Sequence, residues 1–424
     1  MTDERTEARP ARTRVAAAMA AEAARLIGAL DDSQRAQALW SFPSDEERRL
    51  WFYTPTDHGG LTLASMTPPQ HRLVFRLLAS ALSTAGYVTV ATIMGLENVL
   101  DHFEGFSVLF RRERGRDPFL YFLRIFGTPS TTGTWGWRLG GHHVSLNFTI
   151  VNGELAGSTP LFFGADPANV PLLGPHPLRP LEGVEDLARD LTRSLDGGQL
   201  AQALVSARAP TDLVGANRPA LADGDEPIPL PLIWRHRFDG EVGAFLQHAQ
   251  DGLERSTAAG PEDLAAMSFT HRPKGLAASA MTPDQREMLD VLLHRYVDRL
   301  PDDLAADESL KFAGHALDDV HLLWAGSLEP NEPHYYRLHS PVLLAEYDNS
   351  ARRGNHVHSV WRDPRGDFAD DVLARHRAEH HHRHDDDLKR EGKADRAGAR
   401  VKETVDKAAD KAKDAVDALK RKVD

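Results

Sequence analysis

Apolar positions recur in the same arrangement twice along the chain. The first run is Gly60-Leu61, Met66-Thr67-Pro68-x-Gln70 and Leu77-Leu78. The second is Gly275-Leu276, Met281-Thr282-Pro283-x-Gln285 and Leu292-Leu293, with every identity at one offset of 215 residues. Each run reads as the start of a helix. Thr is the N-cap, Pro suits the first helical position because its missing N–H has no partner there, and Gln can reach back to the N-cap amide. Behind the caps, Leu73, Leu77 and Leu78, and likewise Met288, Leu292 and Leu293, fall on one face of an amphipathic helix.

A second match follows each helix. Gly127 precedes Trp137-Arg138-Leu139 by ten residues, Gly326 precedes Tyr336-Arg337-Leu338 by the same ten, and Phe148 and Tyr347 follow at equal distances. The apolar run 119–126, the aromatics and the Asn152-Gly153 turn predict antiparallel hairpins. The pattern therefore predicts an α+β fold, internally duplicated, with helix-plus-antiparallel-strand halves at about 50–154 and 265–363 in a pseudo-two-fold relation. A single domain is expected over 30–376. Residues 155–264 read as a connector with short helices over 182–195 and 199–207 and a long loop over 211–231. Residues 1–29 read as a helical or flexible segment.

Composition narrows the chemistry. The 424 residues hold 50 Lys+Arg against 62 Asp+Glu, a net charge of -12, so the basic footprint of a nucleic-acid binder is missing. There is no cysteine, which excludes disulfides, thiolate catalysis and Cys-type zinc sites, whereas there are 21 histidines. No apolar stretch is long enough for a membrane span. Glu22 interrupts the small-residue run near the N-terminus, so no signal-peptide core is present and a cytoplasmic location is expected. From Asp385 to Asp424 there are 12 basic and 11 acidic residues, leaving the rest at 38 against 51, or -13. In this tail Val401, Val405, Ala408, Ala412, Ala415 and Leu419 make a weak heptad stripe. Residues 377–424 thus read as a His-rich then charged, partly helical tail that could self-associate as a coiled coil.

Two histidine tracts stand out. In Gly140-Gly141-His142-His143-Val144 the glycines make a turn and a strand begins at the histidines, so His142 and His143 point to opposite faces and either is a candidate ligand. In Asn355-His356-Val357-His358 a strand puts both imidazoles on one face, roughly 6.5–7 Å apart at Cα. That spacing can chelate one ion, with another His or a carboxylate completing the set. Glu346 is the candidate carboxylate. The expected metal set is His142 or His143 with His356, His358 and Glu346, suited to Fe, Cu, Mn or Zn. Arg138 and Arg337, flanked by Trp137 and Tyr336, are candidates for holding an anionic or polar substrate, although a structural salt bridge is the commoner role for such arginines. His315, His321 and His334 read as surface or hairpin residues. His376, His380, His381, His382 and His384 read as an adventitious metal-binding tract. Serine-hydrolase, P-loop and dinucleotide fingerprints are missing, so no nucleotide cofactor is expected.

The tracts Tyr335-Tyr336-Arg337, Glu346-Tyr347-Asp348-Asn349, Asn355-His356-Val357-His358 and Trp361-Arg362-Asp363, with Gly141-His142-His143, resemble the bacterial family labelled domain of unknown function 3500. The resemblance runs from about Leu30 to His376. Two departures stand out: Ser350-Ala351-Arg352 where the family has Thr-Gln-Asn, and Asp367-Phe368-Ala369 where it has Asp-Phe-Gly. The charged tail and the plain N-terminus also differ from relatives that are exported. The family label implies no reaction. The expectation is a metal-dependent enzyme, with an oxidoreductase favoured and a hydrolase as the alternative. A non-catalytic protein binding a small molecule or peptide, or a stress-associated scaffold, is the competing class.

Overall fold

The repeated caps lie where a helix must start. In the computed structural model, which describes residues 5–107 and 115–374, α4 (Pro68–Ala81) and α10 (Pro283–Val297) begin behind Thr67 and Thr282. Gln70 and Gln285 each accept the N-cap amide, at 2.8 and 2.9 Å. Their side chains then do a second job. Gln70 exchanges amide hydrogen bonds with Gln34 (2.7 and 3.1 Å), and Gln285 does the same with Gln199 (3.0 and 2.9 Å). Gln34 and Gln199 sit in the first turns of α2 (Asp32–Ala38) and α7 (Gly197–Ala203), in capping boxes with Asp31 and Asp196. This second recurrence is invisible locally, because Asp-x-x-Gln is a common helix start and its offset differs from 215.

Among the described residues thirteen strands form one sheet. Its first seven are β1 (Leu39–Trp40), β2 (Leu61–Thr62), β3 (Phe122–Phe126), β4 (Trp135–Gly141), β5 (Val144–Val151), β6 (Glu154–Gly157) and β7 (Leu161–Ala165). The rest are β8 (Leu204–Ser206), β9 (Leu276–Ala277), β10 (His321–Gly326), β11 (His334–Ser340), β12 (Leu343–Ala351) and β13 (His356–Arg362). The order is β1-β3-β4-β5-β7-β13-β12-β11-β10-β8. It reads alike from both edges: a short parallel edge strand, a three-strand antiparallel meander, and a last strand that meets its counterpart, β7 against β13, at the centre. β2 on β3 is matched by β9 on β10.

Residues 155–264, read from sequence as a connector, supply strands to both parts of this sheet. β7 lies at its centre. α6 (Glu182–Arg193), α7 and β8 stand before β10 as α1 (Arg5–Ala29), α2 and β1 stand before β3. Residues 1–29, expected to be helical or flexible, carry α1. The long excursion is the stretch between β8 and β9, with α8 (Gly240–Thr257) and α9 (Pro261–Met267). Its counterpart between β1 and β2 holds only the short α3 (Asp45–Arg48) before the chain reaches Leu61.

The sheet is buried on both faces, so its strands are nearly continuously buried rather than alternating. Helices cover one face: α1 packs on α4 and α6 on α10, over Leu77, Leu292, Trp137, Tyr336 and Phe163. The other face packs under the excursion, with Tyr53, Phe162, Val214, Ile233, Trp234 and Tyr335 in one cluster. Two further helices are α5 (Thr84–Phe103) and α11 (Asp302–Ser309). The described residues up to Asp370 form one compact unit. The heptad stripe of 377–424 and the histidines from His376 to His384 lie outside the described residues.

Candidate metal centre

The centre of the sheet brings three histidines together. His356 and His358 stand two apart on β13, where Asp348 of β12 pairs with His358 and Gly164 of β7 pairs with it from the other side. His143 arrives from the first half. The sequence reading put a strand start at the histidines. Instead, Gly141 pairs with Val144, so His142 and His143 are the two residues of the β4–β5 turn. His143 has φ 65°, the left-handed region that a non-glycine residue adopts at a cost. It is pinned there by its amide on Tyr53 O (3.0 Å) and its carbonyl under Gly164 N (2.8 Å). Gly164 is required: a Cβ there would lie 2.7 Å from His143 Cδ2 and 2.9 Å from Val357 O.

The imidazoles present nitrogens to one another. His143 Nε2 is 2.8 Å from His356 Nε2, and the ring centroids of His356 and His358 are 4.7 Å apart. The three candidate ligand atoms lie within 4.8 Å of one another. Nitrogens about 2.0–2.1 Å from a tetrahedral ion stand roughly 3.3–3.4 Å apart. The set therefore needs only about half an ångström of opening between His143 and His356 to take an ion. Burial first, and then the neighbouring imidazoles, hold His143 and His356 well below the usual histidine pKa, so both are neutral and ready to ligate.

Carboxylates orient the rings from behind. Asp212 Oδ1 is 2.8 Å from His358 Nδ1, leaving Nε2 for a ligand, and Tyr53 donates to Asp212 Oδ2 at 2.9 Å. Asp166 Oδ2 lies 3.7 Å from His356 Nδ1. This is the carboxylate–histidine arrangement that sets tautomer and ring orientation in metal sites. Burial opposes charge on His358, but Asp212, with Asp348 and Asp166 behind it, outweighs burial and raises its pKa. Burial, reinforced by Asp212, pushes the Asp348 carboxyl up to about 8. Burial pushes Asp166 up to about 6 against the pull of Arg352 and Arg116. Asp348 Oδ2 and Asp166 Oδ1 are buried without a hydrogen-bond partner, which leaves acceptors to spare beside the histidines. His142 turns away. Its Nδ1 is 2.5 Å from Glu97 of α5 while its ring stacks on His143 at 3.7 Å. Glu97, His142 and His143 make a second group of suitable spacing that shares His143.

Glu346 is not with them. It is fully buried, takes hydrogen bonds from the Tyr335 hydroxyl and from Gly215 N at 2.7 Å, and pairs with Arg337 Nε at 3.3 Å. Asp348, two residues on, is the carboxylate that the strand register sets opposite His358. Arg138 and Arg337 are occupied too. Arg138 is bound to Glu47 at 2.9 Å and to backbone carbonyls of Glu47, Leu50 and His58. Arg337 also donates to Met267 O at 2.7 Å. Trp137 stacks on Phe148 in the core, and the Tyr336 hydroxyl is bonded to Tyr296 and Val184 O. None of these four lines the cavity over the histidines. His315 and His321 lie apart from it on the exterior, and His334 is buried between Trp324 and Tyr347.

That cavity measures about 640 Å³, within the range of small-molecule sites. The histidines, Asp166 and Asp348 form its floor. Ile228, Leu230, Ile233 and Trp234 of the excursion, with Phe245 and Leu246 of α8, form an apolar wall. At the rim Glu104 joins Arg116 (2.8 Å) and Arg352 (2.9 Å), and Arg352 reaches Asp166 (3.1 Å). Sequence reading missed Asp166, Asp212, Tyr53 and Glu97. No spacing marks them, since each comes from a different element; the one available signal was Asp348, cross-strand from His358.

The model of the family "Protein of unknown function (DUF3500)" matches residues 12–370. The chain belongs to that family. No curated protein and no solved structure matches it. Within this DUF3500 chain, His143 of the Gly141-His142-His143 tract and His356 of β13 meet at the centre of the sheet. The departure Ser350-Ala351-Arg352 sits on the cavity: Ser350 donates to Asp348 Oδ1 at 2.8 Å, and Arg352 reaches Asp166. At Asp367-Phe368-Ala369, Asp367 holds the buried Arg362 at 2.6 Å, while Ala369 stands at φ 57°, where a glycine would be unstrained. No helix among the described residues is long and apolar enough to cross a membrane.

Proposed function

We propose that this protein is a metal-dependent enzyme. In this reading His143, His356 and His358 hold one divalent transition ion, and the cavity above them takes a small molecule with an apolar body. The observation that carries it is the convergence of three imidazoles, two of them backed by Asp212 and Asp166, on the floor of a cavity. Three protein ligands with a free side toward a cavity is the pattern of a catalytic rather than a structural ion. An all-imidazole set suits Fe(II), Cu(II), Mn(II) or Zn(II). An oxidoreductase is favoured, because much of the wall over the histidines is aliphatic and aromatic, which suits a substrate with an apolar body. The hydrolase reading draws support from Asp348 beside the site, a carboxyl placed to move a proton. The duplication expected from sequence is part of the proposal: the like order of strands from both edges supports it, and it explains why the site lies where β7 and β13 meet. Cytoplasmic residence and self-association through the tail are likewise proposed.

Metal analysis tests this reading. Untagged full-length protein with His380, His381, His382 and His384 changed to Gln should retain close to one transition ion per chain. The pair His356→Ala and His358→Ala should remove it, and His315→Ala should not. Iron or copper with substrate-dependent oxygen uptake supports the oxidoreductase, and zinc supports the hydrolase. A folded protein that neither carries nor is stabilised by any of these ions would refute the metal reading and leave the cavity as a binding site.

A further inference from the structure

The cavity over the histidines carries more positive than negative charge at its rim. Arg116, Arg352 and Arg353 line it there, against the carboxylates of Glu104 and Asp166. Glu104 is fully engaged: it takes Arg116 through both oxygens (2.8 and 3.0 Å) and Arg352 at 2.9 Å. Asp166 is shared between Arg352 at 3.1 Å and His356 at 3.7 Å. Arg353 is left over. It is exposed, lines the cavity, and has no hydrogen bond or ion pair among the described residues. The floor carboxylates have their own partners: Asp212 holds His358 and Tyr53, and Asp348 accepts the Ser350 hydroxyl.

An unpaired arginine on an open surface would mean little, but the backbone fixes this one at the cavity. Arg352, Arg353 and Gly354 form the turn between β12 and β13, all at positive φ (49°, 54° and 81°). Glycine takes that region freely and arginine at a cost. The turn is pinned from both sides. Asn355 accepts Asn169 N on its side chain (2.7 Å) and Ala168 N on its carbonyl (3.0 Å), and a Cβ on Gly354 would lie 2.9 Å from Asn331 O. The apolar wall is unfinished as well. Phe245 of α8 is 53% exposed although it lines the cavity with Trp234 and Leu246. An aromatic ring left open at a cavity is surface that a ligand's body would cover.

We propose that the substrate of this cavity is a monocarboxylate with an apolar body. The carboxylate pairs with the Arg353 guanidinium at the rim, and the body lies along Trp234, Phe245 and Leu246. This rests on the small-molecule part of the function proposed above, and not on the ion. Three guanidiniums against two carboxylates leave one surplus positive charge at the rim, which matches a monoanion better than a dianionic phosphate ester. The guanidinium fork fits a planar carboxylate through two parallel hydrogen bonds. A volume of about 640 Å³ holds an apolar body as well as the anionic group. The arginines expected from sequence to hold an anion, Arg138 and Arg337, are instead closed off by Glu47 and Glu346.

The test is titration calorimetry of the untagged full chain with octanoate, octan-1-ol and acetate. Octanoate should bind once per chain and about 10–100-fold tighter than octan-1-ol, the difference that a charge-assisted hydrogen bond supplies. Acetate, which lacks the body, should show no saturable binding. Arg353→Asn should lose the preference for octanoate over octan-1-ol. It should melt within about 1 °C of the parent, because Asn tolerates positive φ and Arg353 pairs with nothing. Protein stripped of ions by dialysis against a chelator should bind octanoate as before. If stripping abolishes binding and Arg353→Asn does not, the carboxylate goes to the ion: this proposal fails and the metal reading stands. If the protein takes up no transition ion but octanoate binding needs Arg353, the metal reading fails and this one stands. No saturable octanoate binding, octanoate no tighter than octan-1-ol in the parent, or octyl phosphate tighter than octanoate would each overturn the monocarboxylate class.

Discussion

Changing Glu346 to Gln separates the role of this residue from that of the histidines. Its carboxylate is fully buried and has three partners: the Tyr335 hydroxyl and Arg337 Nε on Oε1, and Gly215 N on Oε2. Gln keeps the volume and one acceptor. It loses the charge opposite Arg337, and its amide N–H₂ must face either the Gly215 N–H or the Tyr335–Arg337 pair, donor against donor. Arg337 retains Met267 O at 2.7 Å and Ser268 O at 3.4 Å, which are not counter-charges. Breaking one side of a buried ion pair costs about 3–5 kcal/mol. For the unit Met1–Asp370 the unfolding entropy at about 2.1 cal/mol/K per residue sums to roughly 0.8 kcal/mol/K. The melting temperature should therefore fall by about 4–6 °C. Metal occupancy of the folded variant, measured by elemental analysis after purification well below that temperature, should match the parent. A shift under about 1 °C, or a tenfold loss of metal affinity in folded protein, would refute the assignment of Glu346 to structure.

Asp212→Asn should lower metal affinity about 10–100-fold, because His358 loses the carboxylate that orients it; competition with a chelator measures this. Gly164→Ala should weaken metal binding while the chain still folds, since the new methyl meets His143 Cδ2 at 2.7 Å; unchanged affinity would mean that His143 is not a ligand. Acid should destabilise the protein through His334, whose pKa burial lowers to about 4. The unfolded chain takes up that proton near pH 6.5 and the folded one does not, so the contribution is complete above pH 6.5. It is lost as pH falls toward 4, by about 3 kcal/mol in total. Melting curves between pH 4.5 and 7 should show a shallower acid slope for His334→Phe than for the parent; identical slopes would count against a neutral buried His334.

The caps of α4 and α10 were legible because their chemistry is local: Thr, Pro and Gln act within one turn, and the leucines behind them report their own face. The β5–β6 hairpin was legible for the same reason, through its Asn152-Gly153 turn, as was the salt-bridge reading of Arg138 and Arg337. The likeness of α2 to α7 was not. α2 and α7 are short, their caps are common, and what ties them to α4 and α10 is a pair of glutamines meeting across the chain. His-x-His on β13 needed only strand alternation to be seen. His142 and His143 were seen as a pair, but two turn residues do not follow strand alternation, so only the fold could send one to the centre and the other to Glu97.

Taken alone, the sequence determined the elements, the missing thiol chemistry, and which histidines were worth following. Tertiary structure decided their company. Glu346 and Asp348 project from one face of the same strand. One meets Arg337 and becomes structural, and the other meets His358, because cross-strand register and the path of residues 207–275 set what stands opposite each carboxylate. The same holds for Arg353, an ordinary residue in the sequence that the fold leaves unpaired at the cavity rim. Local pattern specifies what a side chain can do; desolvation and the neighbours brought by distant strands specify which of those things it does.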